Sequence, residues 1–369
     1  MRNKVGTLFC FFYLVLLGVM PIFAFEVDGK APELEGGPSV DQLNDQIAEA
    51  FNKVLETLED KIGGIDSKPE KFIKAWGNAS VFASHGATQR SYVGFNFLTV
   101  SVGAMFAIQY PSDPFAIVND LEILNNRINN DGDIAIGVNT QLLNAHVSLN
   151  TSKFLLKNLY LGLRFGYMKM DNLFDIMSFN TLSLGITANY QILPRINLGG
   201  IVVWRGLNVG TGFIYQGTDI TNRFKLGTIK ESVNSTPLAL SLEVDPTLFL
   251  AMHVNTFVIP LEVNTAVRLL WFLNLSLGVG ADLAFGKSTL EAGVNGDITV
   301  DGLAGQGYTE KNPGNLRISG GGSMPPDVFN LKLMAGVGFS LGPVFLDCPI
   351  TYYFLNNGLN IGITLGVTL

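Results

Sequence analysis

Beyond residue 25 the chain has no uninterrupted apolar run of the roughly eighteen residues that a membrane-spanning helix requires. Charge is scarce too. Asp, Glu, Lys and Arg make up 15% of the chain, against roughly a quarter in ordinary globular domains. Cysteine is limited to Cys10 and Cys348. Cys10 lies in a leader-like segment, so the mature chain retains one thiol and no internal disulfide can form. His85, His146 and His253 are far apart, and with one cysteine they supply no zinc constellation. No metal or cofactor is expected. The net charge of −7 and the lack of a basic patch exclude nucleic acid as a partner.

Hydrophobic residues are abundant, at 47% with a mean hydropathy of +0.31, and 41 glycines are dispersed among them. Without spanning helices, a membrane protein has one other way to satisfy its backbone, a closed β-barrel. The expected fold class is therefore all-β, a transmembrane antiparallel barrel. Arg2 and Lys4, the apolar stretch from Val5 to Val19, Pro21 and Ala24 form a signal-peptide pattern over 1–25. The expected setting is the outer membrane of a diderm bacterium, with the C-terminus periplasmic.

Residues 26–90 read differently from the rest. Leu43, Ile47, Phe51, Val54, Leu55, Leu58 and Ile62 recur at helical spacing between Ser39–Asp41 and Gly63–Gly64. A second short helix fits Pro69 to Trp76. This N-terminal helical segment is read as a periplasmic extension, a lumen plug or a lid, and the barrel as 91–369.

From Leu98 the period is two. Leu182, Leu184, Ile186, Ala188 and Tyr190 alternate with Thr181, Ser183, Gly185, Thr187 and Asn189. A polar face of Gly, Asn, Ser and Thr suits a crowded lumen better than an open surface. About fourteen strands can be drawn, among them 196–204 and 207–216, 238–252 and 257–269, and 273–287 and 290–302. Twelve follows instead if the phase switch at Trp204–Leu207 is a bulge, and a further bulge is expected at Leu142–Leu143. Working back from a periplasmic end, 303–326 and 111–133 fall outside, and the links at 193–195, 287–289 and 341–343 inside. The short links at 205–206 and 270–272 also fall outside on this count.

The last strand carries the sharpest local pattern. Asn360 and Gly362, with Leu365, Val367 and Leu369 on one face, resemble the insertion signal read by the barrel-assembly machinery, although Leu369 stands where an aromatic residue is usual. Outer-membrane lipid and that machinery are the expected partners. Arg164, Arg205, Glu243, Asp245, Glu262, Arg268 and Asp282 fall on polar phases and are candidates for lumen charge that selects solutes. His146, Ser148 and Asn150 share one face, a weak resemblance to outer-membrane phospholipases. That face is the lumenal one, so no enzyme is expected.

Strands preceded by an N-terminal helical segment resemble the long-chain fatty acid transporter family in architecture. That resemblance implies a hatch plugging the lumen and hydrophobic small molecules as cargo. The family's Asn-Pro-Ala motif is absent, Gly77–Asn78–Ala79–Ser80 being the nearest stretch. The texture also resembles uncharacterised spirochaete outer-membrane proteins. Two functions are expected on these grounds, a passive channel or carrier for small solutes, or a structural or surface-interaction barrel acting through extracellular loops.

Overall fold

A period-two chain with one apolar face can satisfy its backbone in lipid only by closing on itself, and it does. The computed structural model describes residues 26–62, 69–84, 98–110, 135–148, 158–173, 177–199, 201–234, 239–303 and 307–369. Two short strands come first, β1 (Glu26–Lys30) and β2 (Glu33–Glu35), then helices α1 (Val40–Ile62) and α2 (Pro69–Ala83). The strands that follow are β3 (Leu98–Gln109), β4 (Ala135–Ser148), β5 (Leu159–Leu173), β6 (Met177–Leu193), β7 (Ile196–Leu198) and β8 (Val202–Lys225). Next come β9 (Ile229–Asn234), β10 (Ala239–Val244), β11 (Thr247–Leu269), β12 (Leu273–Asp301) and β13 (Thr309–Asn312). The last are β14 (Gly314–Met324), β15 (Phe329–Leu341), β16 (Val344–Tyr353) and β17 (Gly358–Thr368).

The ring runs β3-β4-β5-β6-β8-β11-β12-β15-β16-β17 and returns to β3. Every pairing is antiparallel. The fold class is as expected, an outer-membrane β-barrel with a short helical segment before it. Among the described residues ten strands close the ring. The larger count came from reading single long strands as two. β8, β11 and β12 have 24, 23 and 29 residues, about twice what a membrane crossing needs.

These long strands show why. In β12 from Leu273 to Phe285, Leu275, Leu277 and Val279 face outward and are 40–56% exposed, while Asn274, Ser276 and Asp282 are buried inside. Past Phe285 the pleat keeps its phase but the chemistry inverts. Lys287, Glu291, Asn295 and Asp297 face out, and Leu290, Val294 and Ile298 are buried within. The strand has left the bilayer and entered water. Thirteen residues at roughly 3.3 Å each, tilted by about 45°, rise on the order of 28 Å, close to the about 25 Å apolar band of outer-membrane barrels. Aromatic residues mark the boundary, with Phe257 stacked on Phe213 at 5.5 Å and tilted against Tyr215 at 5.1 Å between ring centroids. Trp271, Phe272 and Phe339 cluster at the other end.

Above the band the long strands continue into a lobe outside the membrane. β14 pairs with β12 from Ser288 upward, β1 adds to β14, and the β9–β10 hairpin pairs with the end of β12. β2 pairs with β13. α1 lies in the lobe's concavity. Leu43, Ile47, Phe51 and Val54 pack on Val233, Leu242, Val294, Ile298 and Ile318, while Asp41, Asp45 and Glu49 face solvent. The Ser39 carbonyl accepts from the Leu43 amide at 3.2 Å, as expected of a residue at the helix N-cap.

Several expectations are corrected by this course of the chain. Residues 287–289 are the interior of β12, not a turn. Gly286 carries it through with φ +152°, where a Cβ would run into the Asn255 carbonyl. The link at 270–272 lies at the same end as 193–195 and 341–343, since Leu273 pairs with Phe339. Residues 205–206 are a bulge in β8, opposite the register shift between Thr265 and Val267. Thr265 stitches that bulge, accepting from Trp204 Nε1 at 2.8 Å and donating to the Gly206 carbonyl at 2.7 Å. The bulge expected at Leu142–Leu143 is present as the shift opposite Ser101 to Gly103. β1 and β2 precede the helices in the N-terminal segment, and 303–326, expected as a connection, contains β13 and β14. The expected leader 1–25 and the expected loop 111–133 lie outside the described residues.

Candidate functional site: the plugged lumen

α2 is the least amphipathic-looking stretch of the N-terminal region because it has no dry side and wet side. From Ala75 to Ser84 every residue is buried. A helix apolar or small all round must be enclosed, and the barrel encloses it. Its first turns sit where the wall is apolar. Phe72, Ile73 and Trp76 pack with Phe179, Ile220, Leu250, Met252 and Leu290. Deeper in, Val81, Phe82 and Ala83 meet Ile214, Val258, Ala284 and Tyr353, and the Phe82 and Tyr353 rings stack at 4.0 Å.

The wall is shaped to receive it. A Cβ on Gly137 would collide with the Ala79 carbonyl, and one on Gly358 with the Phe82 ring. A helix leaves its last carbonyls without intrahelical partners. Here the wall supplies them. Asn139 Nδ2 donates to the Ala83 carbonyl at 3.2 Å and Asn360 Nδ2 to the Phe82 carbonyl at 2.6 Å. At the mouth Asn78 makes two bonds with Asp327, donating to its carboxylate at 2.9 Å and accepting from its amide at 2.7 Å. Lys74 pairs with the same carboxylate at 2.6 Å. Asn78 belongs to the Gly77–Ser80 stretch, whose small residues let the helix lie close to the wall.

Below the plug the inner wall carries charge. Lys332 Nζ lies 2.5 Å from Glu262 Oε1 and 2.7 Å from Asp282 Oδ1, with all three side chains almost fully buried. Glu262, Gly280 and Lys332 share one row of β11, β12 and β15, and Asp282 is two residues along. A charge inside the membrane is costly unless paired. Expected lumen residues Glu262 and Asp282 are thus brought together, by a lysine the sequence reading passed over. Its signal was present: Lys332 stands between Leu331 and Leu333, on the polar phase.

The other candidates divide. Arg164 is buried on the inner face of β5. Arg205 is buried at the bulge, and Gln191 Nε2 donates to its carbonyl at 3.1 Å. Arg268 lies low on β11. Glu243 and Asp245 are not in the lumen. They sit on the solvent side of the β9–β10 hairpin, where Lys230 Nζ donates to Glu243 at 2.9 Å and Thr228 to Asp245 at 2.6 Å. The hydrogen bond from Lys230 to Glu243, helped by that carboxylate's charge, holds the lysine above its ordinary range. The phase rule misplaced both acids because it treats every polar face as lumen, and above the band the polar face is the outer one.

With this geometry in view, the family model described as Lsa36-like matches residues 25–369. The chain belongs to the Lsa36-like family. No curated protein matches it. Among solved structures it is similar to the translocator domain of autotransporter NalP from Neisseria meningitidis, at 11% identity and TM-score 0.25, covering 88% of this chain and 96% of that one. It is also similar to the Ralstonia pickettii toluene transporter TbuX, at 9% and 0.24 over 80% and 99%. A third is Ail, the attachment invasion locus protein of Yersinia pestis, at 11% and 0.22 over 73% and 94%. Scores this low carry no weight here, and the barrel of this Lsa36-like chain rests on its own strand pairing.

In the Lsa36-like chain the insertion pattern splits between two environments. Leu365, Val367 and Leu369 face outward and are 41–67% exposed, as an apolar face meeting lipid must be. Asn360 and Gly362 face inward. Asn360 caps the plug, and a Cβ on Gly362 would collide with Met105. His146 pairs by backbone with Thr99 and Gly162. Asn150 lies outside the described residues.

Proposed function

We propose that this protein is a sealed outer-membrane barrel that holds its extramembrane lobe at the cell surface to contact molecules outside. The observation that carries this is α2, seated in the lumen with its C-terminal carbonyls capped by Asn139 and Asn360. A ten-stranded lumen is only slightly wider than one its own side chains can fill, and a helix takes up the remaining space. The side of the lobe follows from connection lengths. At the lower end the links 194–195, 199–201, 270–272 and 342–343 have two or three residues and 149–158 has ten, whereas the upper end carries the lobe and the 25-residue link 110–134 beside short links at 174–176 and 354–357. Outer-membrane barrels keep short turns in the periplasm and long connections outside. On this reading β17 ends in the periplasm, lipid and the assembly machinery are the partners of the wall, and no catalytic step is assigned.

A second reading is a carrier for small hydrophobic solutes. It is favoured by the apolar interior of the mouth, where Ile220, Leu250, Met252 and Leu290 surround Phe72 and Trp76. It requires the plug to move. Planar-bilayer recording of the purified protein separates the two. The proposal expects no steady conductance above the bilayer's own, and a stable open level without any change to α2 would overturn it.

A further inference from the structure

Segment 26–62 and the lower end of β17 lie at opposite ends of the barrel. β1 pairs with β14 from Glu26↔Ser319 to Lys30↔Asn315. Those β14 residues pair with Gly293 to Asp297 of β12, well above the boundary at Phe285. At the other end Leu98 and Leu369 exchange backbone hydrogen bonds of 3.2 and 2.7 Å on the lower rim. Between them α2 points down the lumen, its last turn bonded to the inner wall. Thirteen residues separate Ser84 from Leu98, enough to span up to about 45 Å, more than the wall below Asn360.

We infer that the barrel carries its own segment 26–62 across the outer membrane through its lumen, and that α2 is the part of the travelling chain that stops inside. This rests on the reading that the lobe faces outward. The driving free energy is on the page. Leu43, Ile47, Phe51 and Val54 gain their apolar partners only on reaching the lobe, where β1 also covers the edge of β14 and β2 pairs with β13. Folding on the far side makes the crossing favourable with no other energy source. The lumen wall that the segment passes is lined by Asn139, Ser183, Asn208, Gln216, Asn264 and Thr364, groups able to bond a passing backbone. The stop is equally specific. The glycine notches at Gly137 and Gly358, the two asparagine caps and the Lys74–Asn78–Asp327 cluster all fit α2.

The test uses single-cysteine variants of the full chain in a Cys348→Ser background, with a membrane-impermeant maleimide on intact cells. Asp297→Cys reports the lobe wall and Asp45→Cys reports α1, both being exposed positions. Both are expected to react before permeabilisation. If Asp297→Cys reacts and Asp45→Cys reacts only after permeabilisation, the crossing is overturned and the outward lobe stands. If neither reacts until permeabilisation, both fall. The route is tested by inserting a large disulfide-closed loop between Gly36 and Gly37. Closed, it is expected to lower the surface-labelled, heat-modifiable fraction several-fold, and reductant during expression to restore it. Unchanged assembly with the loop closed would overturn passage through the lumen.

Discussion

Lys332 and its two carboxylates show how an inner-face residue is read from sequence and how it is missed. Glu262 and Asp282 stood out because each interrupts an apolar alternation at the polar phase. Lys332 does the same between Leu331 and Leu333, but its partners lie 70 and 50 residues away, a distance that periodicity cannot bridge. The triad joins three adjacent strands along the inner wall. Removing the cation from buried partners costs about 3–5 kcal/mol in comparable pairs. Lys332→Met is therefore expected to lower the urea midpoint of the inserted barrel strongly. Lys230→Met, which breaks an exposed pair, is expected to leave that midpoint near wild type. Equal midpoints for the two variants would remove the triad from the account of stability. Glu243 and Asp245 teach the complementary lesson: phase tells which side of a strand a residue faces, and only environment tells what is on that side.

At the scale of elements, the helices separate by what they touch. α1 has a dry face and a wet face, so its helical period was legible over the whole span. The second helix was expected to end at Trp76 and continues to Ala83. Gly77, Asn78, Ala79 and Ser80 read as breakers in an isolated helix, whereas inside a narrow lumen small residues are what permits close approach. An enclosed helix has no amphipathic stripe for periodicity to find. Deleting residues 69–84 is expected to give an open conductance level in planar bilayers where the intact protein has none. Gly358→Phe, which places a ring against Phe82, should do so partially if the barrel assembles. A closed level in the deletion would mean that α2 is not the seal. The last strand was the most legible element, since a single phase runs unbroken from Ile361 to Leu369. Replacing Leu365 and Val367 with Asp puts charge on the lipid face, where the cost reaches roughly 2–4 kcal/mol for the worst cases and less for acids. Loss of the heat-modifiable form is the expected result.

For the whole molecule, the governing fact is one inversion repeated on neighbouring strands. Below Phe257 and Phe285 the outer face is apolar, and above them it is charged, with no change of pleat. The barrel class was legible because the lower half obeys a single rule. The strand count was not, because the switch of apolar phase near 253–257 and 286–290 looks the same in sequence as a turn or a bulge. It is a change of solvent on both sides of an unbroken strand. This places the membrane boundary between Phe285 and Lys287, and the placement can be measured. Leu277 and Glu291 face outward on the same strand, on either side of that boundary. Leu277→Arg buries a charge at mid-band and is expected to cost roughly 2–4 kcal/mol in unfolding from bilayers, while Glu291→Arg should cost about 0–1 kcal/mol. A tryptophan at 277 should be quenched by lipids brominated on their chains, and one at 289 should not. Quenching at both positions would move the bilayer up over the lobe, bury Lys287 and Glu291 in lipid, and leave no extramembrane surface for the proposed function to use.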